Sequence, residues 1–205
     1  MARSAPRSAR KTARAKKAPV KAARRPAARK AAPRKTAKKA SKPKKAQPVP
    51  ALYGSITPHL IVSPARDAMA FYAQAFGAKR GLVMDGPGGV IMHAELKIGD
   101  SIVMLADEQP PMTPHASARK SPRNMGGTTS AVMLYVKDAD ATYAKAVAAG
   151  ATGVMPPMDM FWGDRFGQVE DPFGHVWSIA THLKDMTAKE MQAAAMAAGP
   201  PPSEA

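Results

Sequence analysis

Two histidines and a glutamate carry most of the chemistry this sequence offers. His59 stands in ITPHLIV, and His93 and Glu95 stand two apart in VIMHAELKI. In extended backbone, residues two apart share a face, so His93 and Glu95 project together while Met92, Ala94, Leu96 and Ile98 project to the other side. Two imidazoles and a carboxylate can hold Zn²⁺, or a related ion such as Ni²⁺, Mg²⁺ or Fe²⁺, with coordination positions left open. The same side chains also read as hydrogen-bonded wall residues. Residues two apart on a strand need not touch, which weakens His93 with Glu95 as a proton-transfer pair. A second group, Trp162, Asp164 and Arg165, suits an anionic or planar ligand, Arg165 by forked hydrogen bonds and Trp162 by stacking. Alternatively Asp164 pairs with Arg165 to fix a hairpin while Trp162 fills a gap. His115 lies in a long loop, His175 behind a turn as a structural or surface residue, and His182 near a strand end. With no Cys in the chain, disulfides, cysteine nucleophiles and cysteine metal sites are excluded.

Strands must carry these groups, and the clearest lie in FWGDRFGQVEDPFGHVWSIATHL (161–183). Residues 165–170 read as a strand, Asp171-Pro172-Phe173-Gly174 as a tight turn, and 175–183 as a second strand. In the second strand Trp177, Ile179, Thr181 and Leu183 form the heavier, core-seeking set. Val176, Ser178, Ala180 and His182 form a lighter set expected to face a cavity or water. Earlier, 56–62 reads as a strand in which Pro58 favours an edge or early position. Ser63-Pro64 then opens a helix over 65–76, with Ser63 as the capping candidate and an apolar stripe of Met69, Tyr72, Ala73 and Phe76. Phe71 and Tyr72 read as core and cleft wall. Strands follow over 78–84, 90–98 and 101–106, then a Pro- and Gly-rich loop over 107–127 long enough to be mobile or part of a lid. The order repeats: strand 128–136, helix 138–149, short strand 152–155, then the hairpin. Both halves run strand, helix, three strands, an internal duplication of a βαβββ unit. A short helix is expected over 187–198. The methionines, among them Met92, Met104, Met133, Met155, Met158 and Met160, suit an adaptable apolar cup or ordinary core filling.

Charge divides the 205 residues sharply. Residues 1–50 hold 19 of the 31 Lys and Arg and none of the 15 Asp and Glu, so the formal +16 is a tail of +19 on a body of −3. The tail is nearly all Ala, Lys, Arg and Pro, too poor in apolar side chains to offset the entropy of ordering, and is expected to be disordered. Basic pairs such as Lys16 and Lys17, Arg24 and Arg25, Lys38 and Lys39, and Lys44 and Lys45 suit sequence-independent contact with nucleic acid or another polyanion through counterion release. With no aromatic before Tyr53, base stacking has no partner there. A merely solubilising extension explains nineteen unopposed charges less well. A presequence fits less well still, because the tail lacks the large apolar residues of an amphipathic helix. No run is long and apolar enough to span a bilayer.

The duplicated order, the helix ending AFYAQAFGA, the segment HAELKIGDS and the closing FWGDRFGQVEDPFGHVWSIATH resemble the vicinal oxygen chelate (VOC) superfamily of glyoxalase I, bleomycin and fosfomycin resistance proteins and extradiol dioxygenases. Within it they are most similar to the branch of the phosphonate-operon B protein. The likeness covers residues 55–184 and implies an α+β fold whose two βαβββ modules, about 55–107 and 128–184, form a U-shaped mixed sheet. The expected layout is tail 1–52, domain 53–184 and a C-terminal helix and disordered end over 185–205. The tail resembles the lysine-, alanine- and proline-rich tails of linker histones. The resemblance also implies a homodimer, with a cleft often completed between protomers, and metal ligands on the first and fourth strands of each module. Those positions fall at Thr57, Met104, Ala131 and Ser178, none a normal ligand of a divalent ion. The expected function is therefore a cytoplasmic, dimeric protein that binds a small molecule without the usual metal. Two alternatives are a lyase, isomerase or dioxygenase-type enzyme with a metal displaced to His59, His93 and Glu95, and a nucleoid-associated protein whose globule only dimerises the tail.

Overall fold

The computed structural model describes residues 48–111 and 118–198. Residues 1–47 of the basic tail, His115 with part of the long loop, and the last seven residues lie outside the described residues.

The first module contains β1 (His59–Val62), α1 (Ala65–Phe76), β2 (Lys79–Asp85), β3 (Ile91–Ile98) and β4 (Ser101–Asp107). After α2 (Pro122–Met125) comes the second module: β5 (Ala131–Tyr135), α3 (Ala139–Ala148), β6 (Thr152–Asp159), β7 (Asp164–Glu170) and β8 (Val176–His182). α4 (Ala188–Ala198) follows. Each module makes its own mixed sheet, ordered β1-β4-β3-β2 and β5-β8-β7-β6, with the outer pair parallel in each. The expected U-shaped sheet is thus present as two four-stranded halves. α1 packs on the first sheet and α3 on the second, and the two helices pack on each other. Each sheet therefore has a helix-covered face and a helix-free face, and His59, His93, Glu95, Met104, Asp164 and Ser178 lie on the latter. Among the described residues, no helix is long and apolar enough to cross a membrane.

Helix α1 shows how packing chooses a face. Its buried residues are Ala65, Ala68, Phe71, Tyr72 and Ala75, while Ala73 is exposed, so the stripe is rotated from the expected one with Met69 and Phe76 on its flanks. Small alanines let α1 approach the sheet closely, and the aromatics fill the space between modules: Tyr72 and Phe76 lie 5.3 and 4.6 Å from Trp177 of β8. The expected cap by Ser63 is not made. Asp107 at the end of β4 takes that role, its carboxylate accepting from Ala65 N at 2.7 Å and Ile91 N at 2.6 Å.

The DPFG turn joins the two modules. Asp171 is 3% exposed, and its Oδ1 accepts from the amides of Phe173 and His175, both at 2.9 Å. Its Oδ2 accepts from Tyr72 Oη at 2.7 Å and Trp177 Nε1 at 3.0 Å. Tyr72 is consequently a core residue whose hydroxyl is committed to the turn, not to a cleft. The His175 ring meets Ile61 O of β1 at 2.9 Å, which makes it structural.

Two irregularities alter the expected faces. Ile91 pairs with Asp85 and His93 with Met84, so Met92 is the extra residue of a β-bulge. The bulge buries Ile91 in place of Met92, which is 49% exposed, while Ala94, Leu96 and Ile98 keep the expected core face. β6 also runs past the expected 152–155 to Asp159, carrying Pro156 and Pro157, which a sheet edge tolerates because no ladder donor is needed there. The 107–127 loop is pinned in part by a Gln109–Arg119 bridge and by Glu108, which accepts from Ser121 N, Ser121 Oγ and Asn124 Nδ2.

Candidate functional site

Sheet register assembles the first-module cluster. His59 on β1 and Glu95 on β3 are both level with Met104 on the intervening β4, so the three form one row across the helix-free face. His93 lies one pleat along β3. Its Nε2 is 3.3 Å from Glu95 Oε1, and its ring meets that of His59 edge-on with centroids 6.1 Å apart. The neighbours on β3 therefore do touch. Glu95 is 4% exposed. Its Oε1 also accepts from Tyr53 Oη at 2.5 Å, a partner 42 residues earlier that sequence reasoning missed. Gly81 on neighbouring β2 makes room for this carboxylate: a Cβ there would stand 3.3 Å from Glu95 Cβ and 3.6 Å from its Oε2.

Arg119, from the loop, completes the surroundings. Burial first, then the positive charges of Arg119 and His93, push the His59 imidazole below its ordinary value, so it is a neutral ring at pH 7. The Tyr53 phenol is pushed up, first by its hydrogen bond to Glu95 and then by desolvation and the adjacent negative charge. Nothing in the sequence marks Tyr53 or Arg119, because only the folded chain brings them to this face.

The second module repeats the row with different chemistry. Met133, Ser178 and Gln168 are level on β5, β8 and β7, and Gln168 Nε2 donates to Ser178 Oγ at 3.0 Å. The register also shifts the first-strand positions by one pleat: the residues level with Met104 and Ser178 are His59 and Met133, not Thr57 and Ala131. The second row offers only thioether, hydroxyl and amide, and in the first the imidazole of His59 and the carboxylate of Glu95 flank the thioether of Met104 with Glu95 already committed to Tyr53 and His93, so the residues do not fit the metal the resemblance implies. Among the described residues, no three His, Cys, Asp or Glu side chains converge in a metal-binding arrangement. Glu95 is held by Tyr53 and His93, and His59 joins the cluster only through the edge-on contact of its ring with His93.

The expected clamp comes apart for a simple reason: neighbours on a strand face opposite ways. Arg165 turns to the helix side, where it binds Asp140 at the start of α3 and Asp159 on β6, the latter at 2.9 Å. It makes no pair with Asp164. Asp164 is 4% exposed on the helix-free face, accepting from Tyr135 Oη at 2.9 Å and His182 Nδ1 at 2.7 Å. His182 Nε2 meets Asp185 at 3.0 Å. With a carboxylate at each nitrogen, the imidazolium is favoured, and its ionisation is pushed up by Asp164 and then Asp185. Trp162 meets Phe161 and Phe166 edge-on with centroids 4.9 and 5.6 Å apart, an aromatic shelf beside the exposed Met158, which pairs with Phe166.

A cavity of about 480 Å³ lies between the arm leading to β1, the β3–β4 turn and β5. Thr57, Leu52, Ile56, Met133 and Tyr135 line it, whereas His59, His93, Glu95 and Trp162 do not. The titratable cluster faces the open side of its sheet.

Residues 54–179 match the family model described as the Glyoxalase/Bleomycin resistance protein/Dioxygenase superfamily. The Mycobacterium tuberculosis protein Rv0887c is 41% identical over 145 residues, covering 71% of this chain and 84% of its own. A crystal structure of a glyoxalase/bleomycin resistance protein/dioxygenase from Nocardioides is similar with a TM-score of 0.50 at 23% identity, covering 66% of this chain and 87% of that one. A PhnB protein from Bacillus cereus aligns with a TM-score of 0.47 at 16% identity over 62% of this chain and 99% of that one.

Proposed function

Since this chain belongs to the Glyoxalase/Bleomycin resistance protein/Dioxygenase superfamily, we propose that it binds a small molecule on the helix-free face of its first sheet without the family's usual metal. The observation that carries this reading is Glu95: a carboxylate 4% exposed, held by Tyr53 and beside His93, at the centre of a face otherwise open to a ligand. Burying a charged group in this way is costly unless it is fully hydrogen-bonded. A neutral His59 and a buried carboxylate give such a face an acceptor and a base that orient a polar ligand. The second sheet's Met133, Met158, Phe161 and Trp162 supply an apolar wall of the kind a planar ligand stacks on. With the two helix-free faces on separate sheets of one chain, a homodimer that sets one protomer's first sheet against its partner's second sheet brings acceptor and wall into one cleft.

The basic tail adds sequence-independent contact with nucleic acid or another polyanion, on the strength of its nineteen positive charges and absence of acids. A thermal-shift screen of the full-length protein against aromatic acids, phenols and amphipathic drugs tests the binding reading. A compound class that raises Tm in the wild type but not in His93→Gln is expected. The reading fails if no class stabilises the protein.

A further inference from the structure

We propose that the ligand of the first-module face is an anion, carrying a carboxylate or phosphate group that sits on Lys79 and Lys97. The inference rests on the binding reading above and names the chemistry of its ligand. Lys97 follows His93 and Glu95 at two-residue spacing on β3, between Leu96 and Ile98 of the core, so it projects from the helix-free face. Lys79 on β2 is its direct cross-strand partner and therefore projects from the same face. Directly opposed residues in an antiparallel pair stand with Cβ atoms about 5 Å apart, and like charges so placed repel. Both lysines are exposed, and among the described residues neither takes part in an ion pair.

No acid among the described residues pairs with either lysine: Asp100, three residues after Lys97 in the β3–β4 turn, accepts from Ser101 Oγ at 2.8 Å. Asp85 pairs with Arg66, Asp107 accepts from two backbone amides, and Glu108 is held by Ser121 and Asn124. The one carboxylate in the β3 row, Glu95, is buried beneath Tyr53 and beside His93. In a body of charge −3, this end of the face thus presents Lys79 and Lys97 as a directly opposed pair with no acid bound to either. Opposed lysines gain a shared counterion when an anion arrives, which converts their repulsion into two charge-assisted hydrogen bonds. The anion-bearing end would rest at the lysines, leaving the rest of the ligand over Glu95, His93 and His59.

The test is a titration of full-length, isotopically labelled protein with inorganic phosphate and, separately, with acetate, at ionic strength held constant with chloride. Saturable shifts at the Lys79 and Lys97 amides are expected. Lys79→Gln combined with Lys97→Gln should raise Kd about 100-fold, about tenfold for each charge-assisted bond lost. The double variant should be no less heat-stable than the wild type, since it removes a like-charge pair. Tail resonances serve as an internal control, because both proteins carry the same tail. Tighter phosphate points to a phosphate-bearing ligand and tighter acetate to a carboxylate. Shifts no larger than those with chloride, or shifts unchanged in the double variant, overturn the proposal. If a neutral compound stabilises the protein in the screen while neither anion shifts the lysines, the anion assignment falls and the binding reading stands.

Discussion

Tyr72→Phe isolates the contact that makes two modules behave as one body. The substitution keeps the ring, and with it the packing against Phe71, Phe76, Phe173 and Trp177. It leaves no cavity and removes only the hydroxyl that donates to Asp171 Oδ2 at 2.7 Å. A hydrogen bond to a charged acceptor is worth about 2 kcal/mol, and here the acceptor stays buried with three donors instead of four. For a domain of this size, that loss lowers Tm by about 6 °C. Urea denaturation followed by circular dichroism should show a lower midpoint with an unchanged slope. There is also a pH signature. Burial and the Asp171 charge hold the Tyr72 phenol well above its ordinary value, so its contribution is complete below about pH 10, where the unfolded phenol begins to ionise, and is lost as pH rises further. The alkaline loss should therefore shrink in the variant. A midpoint shift equivalent to less than about 0.5 kcal/mol at neutral pH would refute the assignment of Asp171 as the hub that ties α1 to the turn.

The remaining expectations concern the site and its surroundings. His59 and His182 should titrate in opposite directions from the ordinary imidazole, His59 below it and His182 above it. By linkage, His59 costs stability as pH falls through about 6.5, whereas the contribution of His182 is complete below that value and lost as pH rises through its raised folded value. Histidine resonances followed between pH 4 and 9 check both, with Asp185→Asn bringing His182 back toward normal. Arg165→Ala should loosen the contacts to α3 and β6 yet leave any ligand's affinity within twofold, measured by calorimetry; a large loss of affinity would return Arg165 to the cleft. Elemental analysis of the purified protein should find less than stoichiometric Zn, Ni, Fe or Mg, and equimolar Zn that disappears in His93→Gln would restore the metal reading. Deleting residues 1–50 should abolish binding to a duplex oligonucleotide, and the full-length affinity should fall steeply between 50 and 200 mM salt, roughly as expected for many phosphate contacts.

The local sequence specified a good deal of this protein. α1 begins and ends where the Ser63-Pro64 and Gly77 signals place it, and Gly77 at φ 66° stops the helix in the left-handed conformation that favours glycine. α4 is headed by a reciprocal cap in which Glu190 accepts from Thr187 N and Thr187 Oγ1 accepts from Glu190 N. The DPFG turn, the core face of β3 from Ala94 onward and that of β8 at Trp177 and Ile179 were legible because turn chemistry and a two-residue period are properties of a few adjacent residues, although Leu183, expected on the core side, is 54% exposed beyond the end of β8. The repeated βαβββ order was legible for the same reason.

What tertiary structure alone decided are the partners. Asp107 caps a helix from 42 residues away, Tyr53 reaches Glu95 across the same separation, and Arg165 leaves its neighbour Asp164 for Asp140. One bulge at Met92 changes which side chain enters the core, and register moves the row opposite Met104 from Thr57 to His59. A chain's local preferences set where elements start and which way each side chain alternates. Which charges meet is fixed only when those elements pack, since a buried carboxylate must find its donors wherever the fold supplies them.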